Sequence, residues 1–221
     1  MSGAGKPDFF YREAQRLGYV ARSAFKLLQM QKQYKLITPD SSVLDLGCAP
    51  GAWLQVPCQS LGPLKNGGLV VGIDLKKWKI PADHCDSRVQ TVCADVMKLP
   101  RAQVRELSPQ QKACSVVLLD MCPLVSGISS KDAALSLELG MQALNLAESN
   151  VGATTSSDDN GVLQRGGNLV IKLLESEDVQ EINQICKPLF RKASLLRPKA
   201  TRSSSREIYL ICQGLQSQAK T

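Results

Sequence analysis

Seven short apolar runs, separated after residue 40 mostly by stretches of helical length, restrict this chain to one class of fold. The runs are Val43–Asp45, Leu69–Asp74, Val89–Cys93, Val116–Asp120, Leu169–Leu174, Ser194–Leu196 and Ile208–Cys212. Helices are predicted between them at about 51–61, 100–108, 131–149 and 178–190, with another at about 20–33 ahead of the first run. Strands alternating with helices of this length build parallel crossovers and a sheet covered on both faces. The last two runs are joined by a segment too short for a crossover helix, so they pair antiparallel. The expectation is an α/β fold with a mostly parallel seven-stranded sheet, helices on both faces and an antiparallel last strand. One domain over residues 1–221 accommodates it. Residues 150–160 are small and polar with no apolar period, which reads as a mobile surface insertion. Pro57 falls inside the helix at 51–61, so that helix is either kinked or shorter than drawn.

Four charges are out of place in this pattern. Asp120 closes an apolar run, Lys172 interrupts another (Asn168-Leu-Val-Ile-Lys-Leu-Leu174), Glu207 opens the last, and Lys26 lies in the apolar stretch Ala24-Phe-Lys-Leu-Leu28. A lone buried charge is expensive, so charges at such positions are paired or functional. Two lysines and two carboxylates on a chain with a glycine turn suggest one catalytic cluster. The plainer alternative is two structural ion pairs.

The glycine turn is in Val43-Leu-Asp-Leu-Gly-Cys-Ala-Pro-Gly-Ala-Trp53, a strand followed by a turn and a helix start. Gly47 permits the sharp turn and Gly51 a close approach by a ligand or the next helix; Pro50 suits a first helical turn. The spacing is Gly-x-x-x-Gly, not Gly-x-Gly-x-x-Gly, so a pyrophosphate cradle is poorly supported. Acids instead recur at the strand ends as Asp45, Asp74 and Asp95. S-adenosylmethionine suits them, because its cationic amino-acid part, ribose diol and adenine amine all present donors or positive charge.

Composition narrows the partners. The formal charge of +7 is uneven: residues 1–35 carry seven Lys/Arg against two acids, and residues 187–206 carry seven against none. The stretch between them is acidic. If the fold joins the basic ends, they make one face for a polyanion. Aromatic residues, at 5%, are too scarce for a single-strand stacking platform. The eight cysteines have no zinc spacing and read as reduced thiols of an intracellular compartment. His84, the only histidine, falls in a polar loop and reads as a surface residue, and no metal site is suggested. No apolar stretch has membrane length, so no membrane association is expected. No transit peptide is legible, which leaves the cytoplasm, or an organelle matrix if a presequence is missing.

From about Phe9 to Gly214 the chain resembles the FtsJ-type ribose 2′-O-methyltransferases. The resemblance rests on Arg22-Ser-Ala-Phe-Lys-Leu-Leu28, Leu44-Asp-Leu-Gly-Cys-Ala-Pro-Gly-Ala-Trp53, Leu119-Asp-Met-Cys-Pro123 with Ser126-Gly127, Val170-Ile-Lys172 and Ser205-Arg-Glu-Ile-Tyr209. It implies a Rossmann-like methyltransferase fold and a catalytic Lys-Asp-Lys-Glu tetrad at Lys26, Asp120, Lys172 and Glu207. It places cofactor contacts at Gly47, Gly51, Trp53, Asp74 and Asp95, to which Asp45 and Asp120 are added as strand-end acids. Leu124 stands where the family has a polar side chain, which bears on how the target nucleotide is held.

Methyl transfer from a sulfonium to a sugar oxygen requires a base for the hydroxyl. A buried lysine beside a second lysine is a candidate, because burial and like charge both favour the neutral amine. Lys172 is assigned that role and Lys26 is its neighbour; Asp120 and Glu207 orient both while opposing the effect. Large-subunit ribosomal RNA is the expected substrate. The alternatives are a tRNA anticodon loop, or a non-catalytic RNA-binding assembly factor. Arg12, Arg16, Arg22, Arg197, Lys199, Arg202 and Arg206 are the expected RNA contacts, with no obligate protein partner evident.

Overall fold

A computed structural model describes residues 8–107, 113–123, 126–148 and 161–216. The insertion expected at 150–160 and Leu124 lie outside the described residues. Within them the elements are α1 (Phe9–Arg16), α2 (Ala24–Tyr34), β1 (Ser42–Leu46), α3 (Ala52–Ser60), β2 (Leu69–Asp74), β3 (Val89–Cys93), α4 (Arg101–Leu107), β4 (Cys114–Leu119), α5 (Ser129–Ala147), β5 (Leu163–Leu174), α6 (Val179–Cys186), β6 (Phe190–Leu196) and β7 (Glu207–Leu215).

The seven strands form one sheet in the order β3-β2-β1-β4-β5-β7-β6. β7 runs antiparallel to both β5 and β6, and the remaining neighbours are parallel. The chain reverses its winding between β1 and β4, and open α/β sheets bind ligands at such a point, beyond the carboxyl ends of the strands. One side of the sheet packs against α5 and α6 through Leu144, Ile171, Ile182 and Leu210. The other packs against α2 and α3 through Leu27, Met30, Leu54 and Val170. Central strands covered on both faces explain why these runs are uniformly apolar.

Several boundaries move. α1 was not anticipated; Asp8 caps it, its carboxylate accepting from the Tyr11 amide at 2.9 Å. The last helix ends at Cys186 rather than near 190, because Phe190 already pairs with Leu215 at the sheet edge. α3 continues three residues past Pro57 to Ser60. Pro50 lies in the turn before α3, behind a cis peptide bond, and not in its first turn. His84 is half-buried and stacks on Tyr19 at 4.7 Å, with Nε2 2.7 Å from the Leu17 carbonyl oxygen.

One latch holds the lead-in to β3. The buried Arg88 guanidinium donates to the carbonyls of Gly62 (2.8 Å) and Gly67 (3.1 Å) and pairs with Asp86 at 2.6 Å. Hydrogen bonding to Arg88 lowers the Asp86 carboxyl to about 2 from an ordinary 3.8. A depressed carboxyl stabilises the fold above its unfolded value and loses that contribution as pH falls through the folded one. Asp86→Asn should therefore cost about 1 kcal/mol at neutral pH, a figure already discounted for solvent screening. Urea unfolding should show the deficit shrinking as the pH falls from about 4 towards 2. A deficit constant across that window would assign it to packing and not to charge.

Candidate active site

Three strands and one helix bring the four misplaced charges together. Lys172 on β5 pairs directly with Tyr209 on β7. Residues opposite each other in an antiparallel ladder share a face, and so do residues two apart, which puts Glu207 there as well. Asp120 follows immediately after β4, one residue beyond the strand. Lys26 reaches in from the first turn of α2.

The charges form two pairs. Lys26 Nζ donates to Glu207 Oε2, and Lys172 Nζ lies 3.1 Å from Asp120 Oδ1 while also donating to the Asp120 main-chain oxygen. Tyr209 joins them, its hydroxyl donating to Asp120 Oδ1 at 3.0 Å and its ring lying 5.9 Å from Lys26 Nζ. Burial works against ionisation of Glu207, but its hydrogen bond to Lys26 and the charges of Lys26 and Lys172 prevail and hold it below the usual carboxylate range. Burial and the Asp120 and Glu207 charges push the Tyr209 phenol well above its ordinary value, so it acts as a neutral donor. The side chains retain 7–20% exposure: Lys172 7%, Lys26 10%, Asp120 16% and Glu207 20%. The cluster is largely buried but reachable.

Beside it opens a cavity of about 250 Å³, lined by Gly47, Ala49, Asp74, Leu75, Val96, Asp120, Met121 and Cys122. It lies at the carboxyl edge of the sheet over the β1/β4 reversal. Gly47 has φ +77°, and a Cβ there would fall 2.0 Å from Met121 Cγ, so only glycine fits this turn. Asp74 braces the turn from β2, accepting from the amides of Ala49 at 3.0 Å and Lys76 at 3.2 Å. Two bare ion pairs would not need this cavity, yet Asp120 belongs to both.

The sequence profile described as FtsJ-like methyltransferase matches residues 19–215. The chain belongs to the FtsJ-like methyltransferase family. A protein of Desulfatibacillum aliphaticivorans named ribosomal RNA large subunit methyltransferase E is 36% identical over 205 residues, covering 92% of this chain and 88% of its own. One of the same name from Methanocaldococcus jannaschii is 34% identical over 94% of this chain and 78% of its own. Among solved structures, a Plasmodium falciparum protein named as a ribosomal RNA methyltransferase superposes with a TM-score of 0.71 at 23% identity. That superposition covers 89% of this chain and 98% of the other, and it bears on the fold alone.

Within this FtsJ-like frame the sequence-predicted residues separate into layers. Gly47, Asp74 and Asp120 line the cavity; Gly51, Trp53, Asp45 and Asp95 do not. Gly51 is close-packed, but against Trp78 and Pro81, whose atoms would lie 2.6 and 2.8 Å from a Cβ. Trp53 is 2% exposed, donates to the Ser23 carbonyl at 3.0 Å and stacks on Tyr209 at 5.8 Å, so it supports the cluster from below. Asp45 is fully buried, and neither carboxylate oxygen has a hydrogen-bond partner among the described residues. Burial, with the Asp120 and Asp74 charges, pushes its carboxyl well up, which favours a neutral acid beneath the cavity floor. Asp95 caps its own turn through the Met97 amide at 3.0 Å, while its neighbour Val96 reaches the cavity.

The two basic ends do meet. Asp8 forms ion pairs with both Arg22 and Arg202, and Arg22 also donates to the Ala200 carbonyl. The expected RNA residues differ in how available they are. Arg16 is paired with Glu13, Arg197 lies 3.6 Å from Glu175 and donates to Ser205, and Arg206 ties Ser129 to Glu175. Arg12 and Lys199 are exposed and make no ion pair among the described residues. Tyr209 is the member of the cluster that sequence reasoning passed over. Its face was legible, since it stands two residues after Glu207 in a strand, but the partner of its hydroxyl was not.

Proposed function

We propose that the protein transfers a methyl group from S-adenosylmethionine to the 2′-hydroxyl of a ribose in large-subunit ribosomal RNA. The observation that carries this reading is the cavity at the sheet reversal, one wall of which, Asp120, belongs to a cluster of two lysines and two carboxylates. The family membership and the names of the relatives support it.

The cavity suits the donor. Its carboxylates, Asp74 and Asp120, complement a ligand made of positive and donor groups, and Leu75, Val96 and Met121 supply apolar walls. When bound, S-adenosylmethionine supplies an electrophilic methyl group. The chain's own residues then have to hold the ribose, take its proton and exclude water.

Lys172 is positioned to take the proton. Paired with Asp120 as an ammonium, Lys172 has first to release one proton to solvent; the amine that results has two hydrogens and one lone pair, and the two Asp120 oxygens within reach of Nζ can accept both hydrogens. That leaves the lone pair for the ribose hydroxyl, whose proton moves to Nζ as the new O–C bond forms. Lys26 holds the other side of the nucleotide, with Glu207 fixing its ammonium. Most of the acceleration comes from alignment in a site with little water.

The deciding experiment is incubation with labelled S-adenosylmethionine and ribosomal subunits or tRNA, then mapping of the methylated ribose. Label in large-subunit RNA at a 2′-oxygen is expected; label on a base, or in tRNA alone, overturns the assignment. Asp74→Ala should also weaken cofactor binding by about 1.5–3 kcal/mol, the cost of losing a charged hydrogen-bond acceptor. Calorimetry on the folded variant checks it, and unchanged affinity removes Asp74 from the site.

A further inference from the structure

A second cavity, of about 590 Å³, lies between α2 and the segment leaving β6, lined by Gln29, Lys32, Gln33, Leu196, Arg197, Pro198 and Lys199. It is more than twice the volume of the cavity beside the cluster, and within the about 300–1,000 Å³ usual for ligand sites. None of Gln29, Lys32, Gln33, Leu196 or Pro198 has a part in the chemistry described so far.

Its position is tied to the cluster through both walls. On α2, Gln29 and Gln33 follow Lys26 at intervals of three and four residues, so all three share one face over about 10 Å of helix. On the sheet, Leu196 is the register partner of Tyr209. The cavity therefore begins one step from Lys26 on one side and one step from Tyr209 on the other. Gln29 fixes the mouth, its Oε1 accepting from the Ala200 amide at 3.2 Å.

The lining combines two chemistries. Leu196 and Pro198 form an apolar floor flanked by the amide of Gln33, while Lys32, Arg197 and Lys199 bring three positive charges and no acid lines the cavity. Lys32 and Lys199 are exposed and make no ion pair among the described residues. Apolar surface, a neutral hydrogen-bonding edge and surrounding cations match a nucleobase with its phosphates. An acidic peptide would satisfy the cations but leave the apolar floor unused.

We propose that this groove holds the nucleotide flanking the target ribose, making it the subsite where the chain reads its RNA. The proposal rests on the RNA-methylating reading and adds the place and the residues. Lys32 and Lys199 grip phosphate, Gln33 faces a base edge, and Leu196 and Pro198 receive the base.

The test uses the full chain with large-subunit ribosomal RNA and with fragments cut progressively closer to the mapped ribose from either side. Lys32→Glu with Lys199→Glu should raise the KM for long RNA about tenfold and lower the salt slope of binding by about two. Cofactor affinity and kcat should hold. On fragments lacking the flanking nucleotides on one side, variant and unaltered protein should become equal, which identifies that side. A 4-thiouridine placed there should cross-link to residues 29–33 or 196–199. An unchanged KM, or a KM defect that persists on every fragment together with cross-links elsewhere, overturns the groove while leaving methylation standing. Failure of the unaltered chain to methylate any RNA overturns the parent reading and the groove with it.

Discussion

Lys172→Ala is expected to abolish methyl transfer, by at least the about 10²–10⁴-fold that a positioned base contributes, while cofactor binding survives. The separation follows from geometry. Lys172 contacts Asp120, and it does not line the cavity assigned to the donor. Lys172→Arg should fail as well, because a guanidinium keeps its proton at any useful pH and offers no lone pair. Label transfer measures the loss, and calorimetry with S-adenosylmethionine shows that the pocket is intact. An arginine variant turning over like the unaltered protein would make Lys172 an electrostatic group and send the search for the base elsewhere.

That a single chain reveals this cluster at all reflects the cost of buried charge. Lys172 and Glu207 are conspicuous because β5 and β7 are covered on both faces, and a lysine between Ile171 and Leu173 has no packing reason to be there. The same logic failed for Tyr209. An aromatic residue in a strand looks like core, and nothing local says that its hydroxyl meets a carboxylate 89 positions away. Asp45 and Asp74 were less easily told apart. Both look like strand-end acids, but Asp45 is held inside β1, paired with Gly72 on one side and Leu118 on the other, whereas Asp74 is the last residue of β2 and reaches the turn after β1. One residue of strand separates the two, and where a strand stops is set by its neighbours' register, which an apolar run does not carry. The meeting of the basic ends was legible in outline, since Lys26 and Glu207 had to converge. The tie itself depends on Asp8, the cap of a helix too short for its periodicity to stand out.

Asp120→Ala should destabilise the fold by about 3–5 kcal/mol, the usual consequence of leaving one member of a buried ion pair without its partner. The stranded group is Lys172, whose side chain is 7% exposed and would keep only the main-chain oxygen of residue 120 as an acceptor. Tyr209 would also lose its acceptor at 3.0 Å, a neutral hydrogen bond worth about 1 kcal/mol. These contributions separate in a double-mutant cycle with Lys172→Met, which keeps most of the side-chain volume and removes the charge. The double variant should recover most of the stability, because an apolar replacement of a buried pair is often neutral or better. It should not recover methyl transfer. Urea unfolding of the four proteins gives the coupling, and label transfer on the same samples gives activity. If the double variant were as unstable as Asp120→Ala alone, the loss would trace to Tyr209 and the turn after β4, and the Lys172–Asp120 pair would carry little of the stability. Recovery of activity along with stability would be more damaging, because a cluster that works without its lysine and aspartate is two structural ion pairs and the base lies outside it.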